Sequence, residues 1–274
     1  RLRAVPVKHP CHFRDRLGER SIRTVAGGDT VEVFRLCRDL ATMRAAIRER
    51  VARLATLRLA RFVPVRGTDV VPDDPSGFEI VSDYIPGTRL SDILQAAGDG
   101  RAVVPTYAAL HVVRQLLGAL AALHQTRALT HGAIAPERLI VTPRGHLVVA
   151  DCVLGLALER LNYSRAKLWS EFRIPALPGS DVPRFDQQAD IAQIGLVAVA
   201  LLAGRPLEAS DYPVRLSSLI DSLRTTDGDD ARVPISKALR AWLRTALGVE
   251  TRTRFAAARD AQMALEDALS SRRR

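Results

Sequence analysis

Apolar positions recur along this chain with two different periods, and the change of period divides it. Near the start they come in short runs. Thr24-Val25-Ala26 and Thr30 to Leu36 flank the turn Gly27-Gly28-Asp29, which is the pattern of paired strands. Asp39 to Leu59 then carries Leu40, Met43, Ile47, Val51 and Leu54 at three- and four-residue spacing, which predicts a helix. Phe62 to Val65 and Phe78 to Ile85 read as two more strands, with Gly67 to Gly77 as the loop between them.

Pro86-Gly87 marks a boundary, beyond which the pattern is helical. Tyr107 to His124 predicts a long amphipathic helix. Leu139 to Val141 and Leu147 to Ala150, around a Pro-Arg-Gly turn, predict a hairpin. Residues 154–185 read as a long irregular segment, the kind that is usually functional or mobile in a compact domain. Ala189 to Ala203 is apolar on nearly every face and predicts a helix buried all round. Leu216 to Leu223, Ile235 to Leu247 and Ala256 to Leu269 complete the helices.

The 274 residues, 47% of them apolar, suffice for a sizeable core in one large domain or two lobes. A net charge of +10 favours anionic partners. The arginines are scattered, however, and aromatics make up only 5% of the chain, so base-stacking platforms are scarce and nucleic acid is disfavoured. Cys11, Cys37 and Cys152 show neither paired nor metal spacing, and His9, Cys11 and His12 lack a second ligand cluster. Such cysteine usage fits a cytoplasmic protein. No run of about 20 apolar residues predicts a membrane span. The chain begins at Arg1 rather than methionine, as an excised cytosolic domain of a larger, membrane-anchored protein would.

The order of these elements meets a set of motifs. Leu17 to Val25 lies over a glycine-rich loop and Val31 to Leu36 over the strand that normally carries a phosphate-binding lysine. Phe78 to Gly87 lies over a hinge, His131 to Val141 over a catalytic loop and Asp151-Cys152-Val153 over an Asp-Phe-Gly turn. Asp186 to Gly195 lies over the start of a central buried helix, and Arg254 over the last-lobe arginine. Together these resemble a protein kinase domain of the bacterial Ser/Thr type over about residues 16–270. The resemblance implies an α+β, bilobal fold. An N-terminal extension (1–15) precedes a small β-rich lobe (16–85). A larger helical lobe (86–270) and a basic tail (271–274) follow.

Phosphoryl transfer in that family needs a phosphate cradle, a lysine, metal ligands and an aspartate that takes the hydroxyl proton. Here Ala133 stands at the catalytic-base position and Arg138 at the second metal-ligand position. The only asparagine in the chain is Asn162. Phe34 stands at the lysine position, and no lysine occurs between Lys8 and Lys167. Arg35 could substitute only with a shifted strand register. Arg50, beside Glu49, aligns with the lysine's usual glutamate partner, and Glu49 reads equally as a solvated helix residue. The loop keeps Gly18 but has Arg20 and Arg23 at its other glycine positions, and these could still attract anions. Glu32 falls where a small apolar residue normally covers adenine, a costly place for a carboxylate.

Asp151 survives, either as a turn residue or as a metal ligand should nucleotide bind. His131, Asp190 and Arg254 read as structural, and Pro178-Gly179 replaces the motif that would pair with Arg254. The expectation is therefore a pseudokinase, not an enzyme, with weak or absent ATP and Mg²⁺ binding. Gly18, Arg20, Arg23, Glu32, Phe34, Asp83, Ile85 and Asp151 would line a vestigial cleft, and Cys152 and Val153 would be degenerate turn positions. The domain would work as a scaffold or allosteric regulator on a protein partner: a kinase, a phosphopeptide-reading domain or another domain of the same chain. The alternatives are altered nucleotide chemistry, or anion or nucleic-acid binding by the basic surface.

Overall fold

The computed structural model describes residues 11–57, 59–71, 74–126, 129–177, 183–226, 233–249 and 253–270. The expected extension up to residue 10, Pro178-Gly179 and the basic tail lie outside them.

The small lobe is a five-stranded antiparallel sheet: β1 (Cys11–Asp15), β2 (Gly18–Thr24), β3 (Thr30–Leu36), β4 (Val65–Val71) and β5 (Asp74–Asp83), in spatial order β1-β2-β3-β5-β4. Two short helices, α1 (Arg38–Thr42) and α2 (Arg44–Leu54), follow β3. Strand β3 lies in the middle of the sheet, and Val31, Val33, Phe34 and Leu36 on it are buried. Leu17, Phe78, Ile80 and the α2 residues Ala46 and Ile47 close this core.

Two expectations change here. The segment 11–15 is a paired edge strand, so the lobe starts inside the proposed extension. Most of Gly67 to Gly77 is strand rather than loop, because β4 and β5 pair antiparallel from Val65 opposite Ser82 to Val71 opposite Asp74.

The large lobe opens with β6 (Thr88–Arg89), which joins β7 (Leu139–Val141) and β8 (Leu147–Val149) in a small sheet. Its helices are α3 (Leu90–Gly98), α4 (Thr106–Gln125), α5 (Gly155–Arg160), α6 (Arg165–Phe172), α7 (Gln187–Ala203), α8 (Leu216–Ser222), α9 (Lys237–Leu247) and α10 (Ala258–Ser270). Helices α5 and α6 replace much of the irregular segment expected at 154–185. Leu158, Leu168 and Phe172 on them are core residues, and each helix is too short to show a helical period in the sequence.

Helix α7 is buried almost throughout, as its composition predicts. The Asp186 carboxylate caps its N-terminus by accepting from Ala189 N–H at 2.9 Å, and Gly204 ends it in the left-handed conformation. Helix α4 is long and apolar enough to cross a membrane, contrary to the expectation of no such run. Half of its apolar window is buried inside this fold, against α7 and α10.

Candidate functional site

The loop between Leu129 and Leu139 is held by α7. Asp190 Oδ2 accepts from His131 N–H, and Asp190 Oδ1 from Gly132 N–H, both at 2.7 Å; His124 Nε2 also meets Oδ2, at 2.9 Å. One turn further on, Gln193 accepts from Ile134 N–H at 2.7 Å and donates to Gly132 O at 3.1 Å. A side chain at Gly132 would meet the Gly155 Cα at 2.6 Å, and its φ is +74°. His131 donates from Nε2 to Ala150 O at 2.8 Å, and its Nδ1 accepts from Ala133 N–H at 3.1 Å. His131 and Asp190 thus form the framework of the loop.

Across the cleft, three guanidinium groups meet three carboxylates. Arg20, on β2, donates to both oxygens of Asp151 (3.2 and 2.5 Å) and to Glu32 (3.2 Å). Arg89, at the entry to α3, donates from Nη2 to both Glu32 oxygens at 2.7 and 2.6 Å and from Nη1 to Glu137 O at 2.6 Å. Arg138 donates to Asp15 at 3.2 Å and lies 3.9 Å from Asp151. Asp15 also accepts from its own turn, at Leu17 N–H (2.8 Å) and Gly18 N–H (3.1 Å). Arg20 and Arg138 are each only 1% exposed. The Glu32 carboxylate thus has two guanidinium partners and His12 at 3.3 Å, which offset the desolvation cost expected of it.

The electrostatics follow. Burial would raise the Asp151 pKa, but Arg20, helped by Arg138 and Arg89, outweighs it and holds this carboxyl below the ordinary range. Burial likewise opposes the charge on Arg20, but Asp151, Asp15 and Glu32 hold it in place. Burial pushes the Cys152 thiol up to about 11, against Arg50 nearby.

Several candidate residues sit elsewhere. Arg20 is not in the glycine-loop turn but on a strand, paired with Phe34, its guanidinium 3.5 Å from the centre of that ring. Arg23 is three strand residues on, so it faces the other way and forks onto Glu79 at 3.0 Å. Arg35 likewise turns from Phe34 to Asp74. Asp83 pairs with Arg66, whose guanidinium also donates to Asp29 at 2.9 Å. Gly18 opens β2 just after the β1–β2 turn, and a Cβ there would meet Arg35 O at 2.1 Å.

Ala133 and Val153 are core residues. Ile85 lines a cavity of about 180 Å³ with His12, Glu32, Tyr84 and Arg89. Arg254 lies against Gly248 and is engaged in the large lobe, so it does not lack a partner. Sequence reasoning missed Asp15, Arg89 and Gln193. It took Arg50 only as a lost glutamate, whereas this buried side chain donates from α2 to Cys152 O at 3.1 Å and to Thr130 O.

These residues do not fit a divalent cation. Both Asp151 oxygens are engaged by arginine, a guanidinium stands at position 138, and among the described residues no three His, Cys, Asp or Glu side chains converge.

This layout matches solved structures. A crystal structure of a single-site variant of the PknI kinase domain from Mycobacterium tuberculosis superposes with a TM-score of 0.67 at 21% identity, covering 94% of this chain and 93% of that one. The chain has the protein-kinase fold. A second crystal structure of the PknI domain gives 0.65 at 22% identity over 94% of each chain.

No protein-family model matches the chain. Among curated proteins, the mitogen-activated protein kinase pmk-3 of Caenorhabditis elegans is 27% identical over 150 residues, 52% of this chain and 31% of that protein. The probable serine/threonine-protein kinase pknA2 of Bifidobacterium longum is 26% identical over 140 residues, 50% of this chain and 18% of that one. The match therefore spans less than a third of either relative.

The expectation that the chain is not an enzyme is corrected by these findings. Every relative and structural neighbour described above is a kinase by name, so similarity points toward an enzyme. The reasoning from Phe34 also changes: a cation does face Asp151, supplied by Arg20 from the adjacent strand instead of by a lysine on β3.

Proposed function

We propose that this domain is a kinase-fold regulatory module of a bacterial signalling protein, working in the cytoplasm through contact with a protein partner. One observation carries the reading. The ion pairs Arg20–Asp151, Arg89–Glu32 and Arg138–Asp15 span the two lobes and fill the mouth of the cleft with the chain's own side chains. Ion pairs of this kind between the lobes hold together a composite surface that a partner can recognise. The partner classes are an active kinase, a phosphopeptide-reading domain or another domain of the parent chain.

A second reading, a kinase-fold enzyme with altered nucleotide chemistry, is favoured by the kinase relatives and by the Arg20–Asp151 contact. Two assays on the purified domain separate them. Pull-downs with each partner class, at low and high salt, should retain a complex at high salt; loss with salt alone would reduce the first reading to charge attraction. Transfer of radiolabelled phosphate or nucleotide from ATP, abolished in D151N, would establish the second.

A further inference from the structure

We propose that the exposed face of α4, together with the β7–β8 turn beside it, is a docking surface for a short acidic segment of a protein partner. An apolar residue of that segment rests at the start of the helix. The inference rests on the reading of the domain as a partner-binding module, and it names where the contact is made and by what chemistry.

The first observation is Gln115, on α4, whose side chain joins three separate parts of the chain. Its Oε1 accepts from Arg61 Nη1 at 2.7 Å and from Leu147 N–H at 3.0 Å, and its Nε2 donates to Gly145 O at 3.1 Å. The backbone repeats the link, with Val149 N–H donating to Arg61 O at 2.8 Å. Arg61 is thereby fixed beside the turn that carries Arg144 and His146, and all three residues are exposed. Among the described residues no carboxylate pairs with Arg61 or Arg144. The carboxylate that does reach α4 from its other side, Glu266 on α10, is held by Arg114 at 2.6 and 2.9 Å. Guanidinium groups left without a counter-ion match the carboxylates of an acidic segment.

The second observation runs along the helix. Tyr107, His111 and Gln115 recur every four residues, so they share one side of α4 over roughly 12 Å. Tyr107 is 70% exposed and Val103, four residues earlier, 74%; among the large apolar side chains described, only Val214 is more exposed. The surface thus has a basic end and an apolar end. An extended segment covers the distance between them with about four residues.

The same features argue against other anionic partners. Tight binding to a nucleic-acid backbone engages roughly six to ten phosphates, far more than Arg61, Arg144 and two histidines can meet. A membrane surface takes apolar side chains interleaved with cations, whereas here the two kinds are separated along the helix.

Selection of displayed random peptides on the whole chain, at physiological salt, tests this. Enriched peptides, measured by fluorescence anisotropy, are expected to carry at least two acidic residues and a bulky apolar residue about four positions away. Their affinity should fall roughly tenfold in R61Q/R144Q and by a smaller factor in Y107S. No enrichment, enrichment without acidic residues, or equal affinity in R61Q/R144Q overturns the proposal. So does a loss in that variant confined to binding of single-stranded RNA or of phosphatidylserine vesicles, which would assign the face to nucleic acid or to membrane. Circular dichroism checks folding; should R61Q/R144Q fail it, R144Q decides, because Arg144 lies on an exposed turn. A partner that R61Q/R144Q retains in pull-downs as well as wild type does would refute this surface and leave the partner reading intact. Peptide binding without any partner in pull-downs would refute that reading while the surface stands.

Discussion

Arg20 and Asp151 face each other across the two lobes, with donor–acceptor distances of 2.5 and 3.2 Å and almost no exposure on either side chain. Truncating one partner of such a pair leaves the other charge buried and uncompensated, which costs about 3–5 kcal/mol. R20M should therefore lower unfolding stability in urea by that amount. Adding D151N to R20M should recover a large part of it, because the stranded charge is gone. Equal stability of wild type and R20M would show that the pair contributes nothing to holding the lobes.

Arg50 reaches from α2 to the backbone carbonyls of Thr130 and Cys152, and no carboxylate pairs with it among the described residues. The position of α2 is thereby tied to the loop that carries His131. Hydrogen bonds from a charged group contribute about 1.5–3 kcal/mol each. R50M should destabilise the protein by about 2–3 kcal/mol and speed amide hydrogen exchange in residues 130–138. Unchanged exchange there would mean that α2 and the loop are independent.

The Cys152 thiol is buried, and its pKa is pushed up to about 11 from an ordinary 9.0. Native protein at pH 8 should therefore not be alkylated at Cys152 by iodoacetamide, whereas protein unfolded in urea should be, as read by peptide mass spectrometry. The linked effect on stability has a fixed sign. In the unfolded chain the thiol ionises first, so stability attributable to Cys152 is complete below pH 9 and falls as pH rises toward 11. C152A should remove that alkaline decline; an equal decline in C152A would refute the assignment.

How far the sequence carried this structure depended on what each residue answers to. The buried helix α7 and the β7–β8 hairpin were legible because an all-round apolar run and a turn between two short apolar runs each fit few local structures. His131 and Asp190 were legible because their roles depend on backbone groups that the fold always presents in the same place. The cleft was less legible. Asp15 and Arg89 acquire meaning only from partners far away in sequence, such as Arg138 and Glu32, and no local pattern marks a long-range ion pair. Arg20 was placed wrongly for a simpler reason: the edge strand β1 begins earlier than the apolar pattern suggested, so the glycine-loop alignment slid past the turn. Helix α6 was hidden because its buried residues, Leu168, Trp169 and Phe172, span too little sequence to establish a helical period.

His131 makes a prediction for the acid side. Its Nδ1 must be unprotonated to accept from Ala133 N–H while Nε2–H donates to Ala150 O, so the neutral ring is the form built into the loop. Burial is the main cause that lowers its pKa below 6.5, outweighing the attraction of Asp190. Below pH 6.5 the unfolded chain therefore takes up a proton that the folded protein refuses, and stability falls as pH drops. The decline is at most about 1.4 kcal/mol per pH unit for one such group. Asp151 adds the same sign only below its ordinary 3.8, so the two windows separate. His12, also lowered by burial, contributes to the same upper window. Urea melts between pH 7 and 5 should show the full slope in wild type, a flatter one in H12N and in H131N, and the flattest in the double variant. An unchanged slope in H131N would move the acid sensitivity away from this loop.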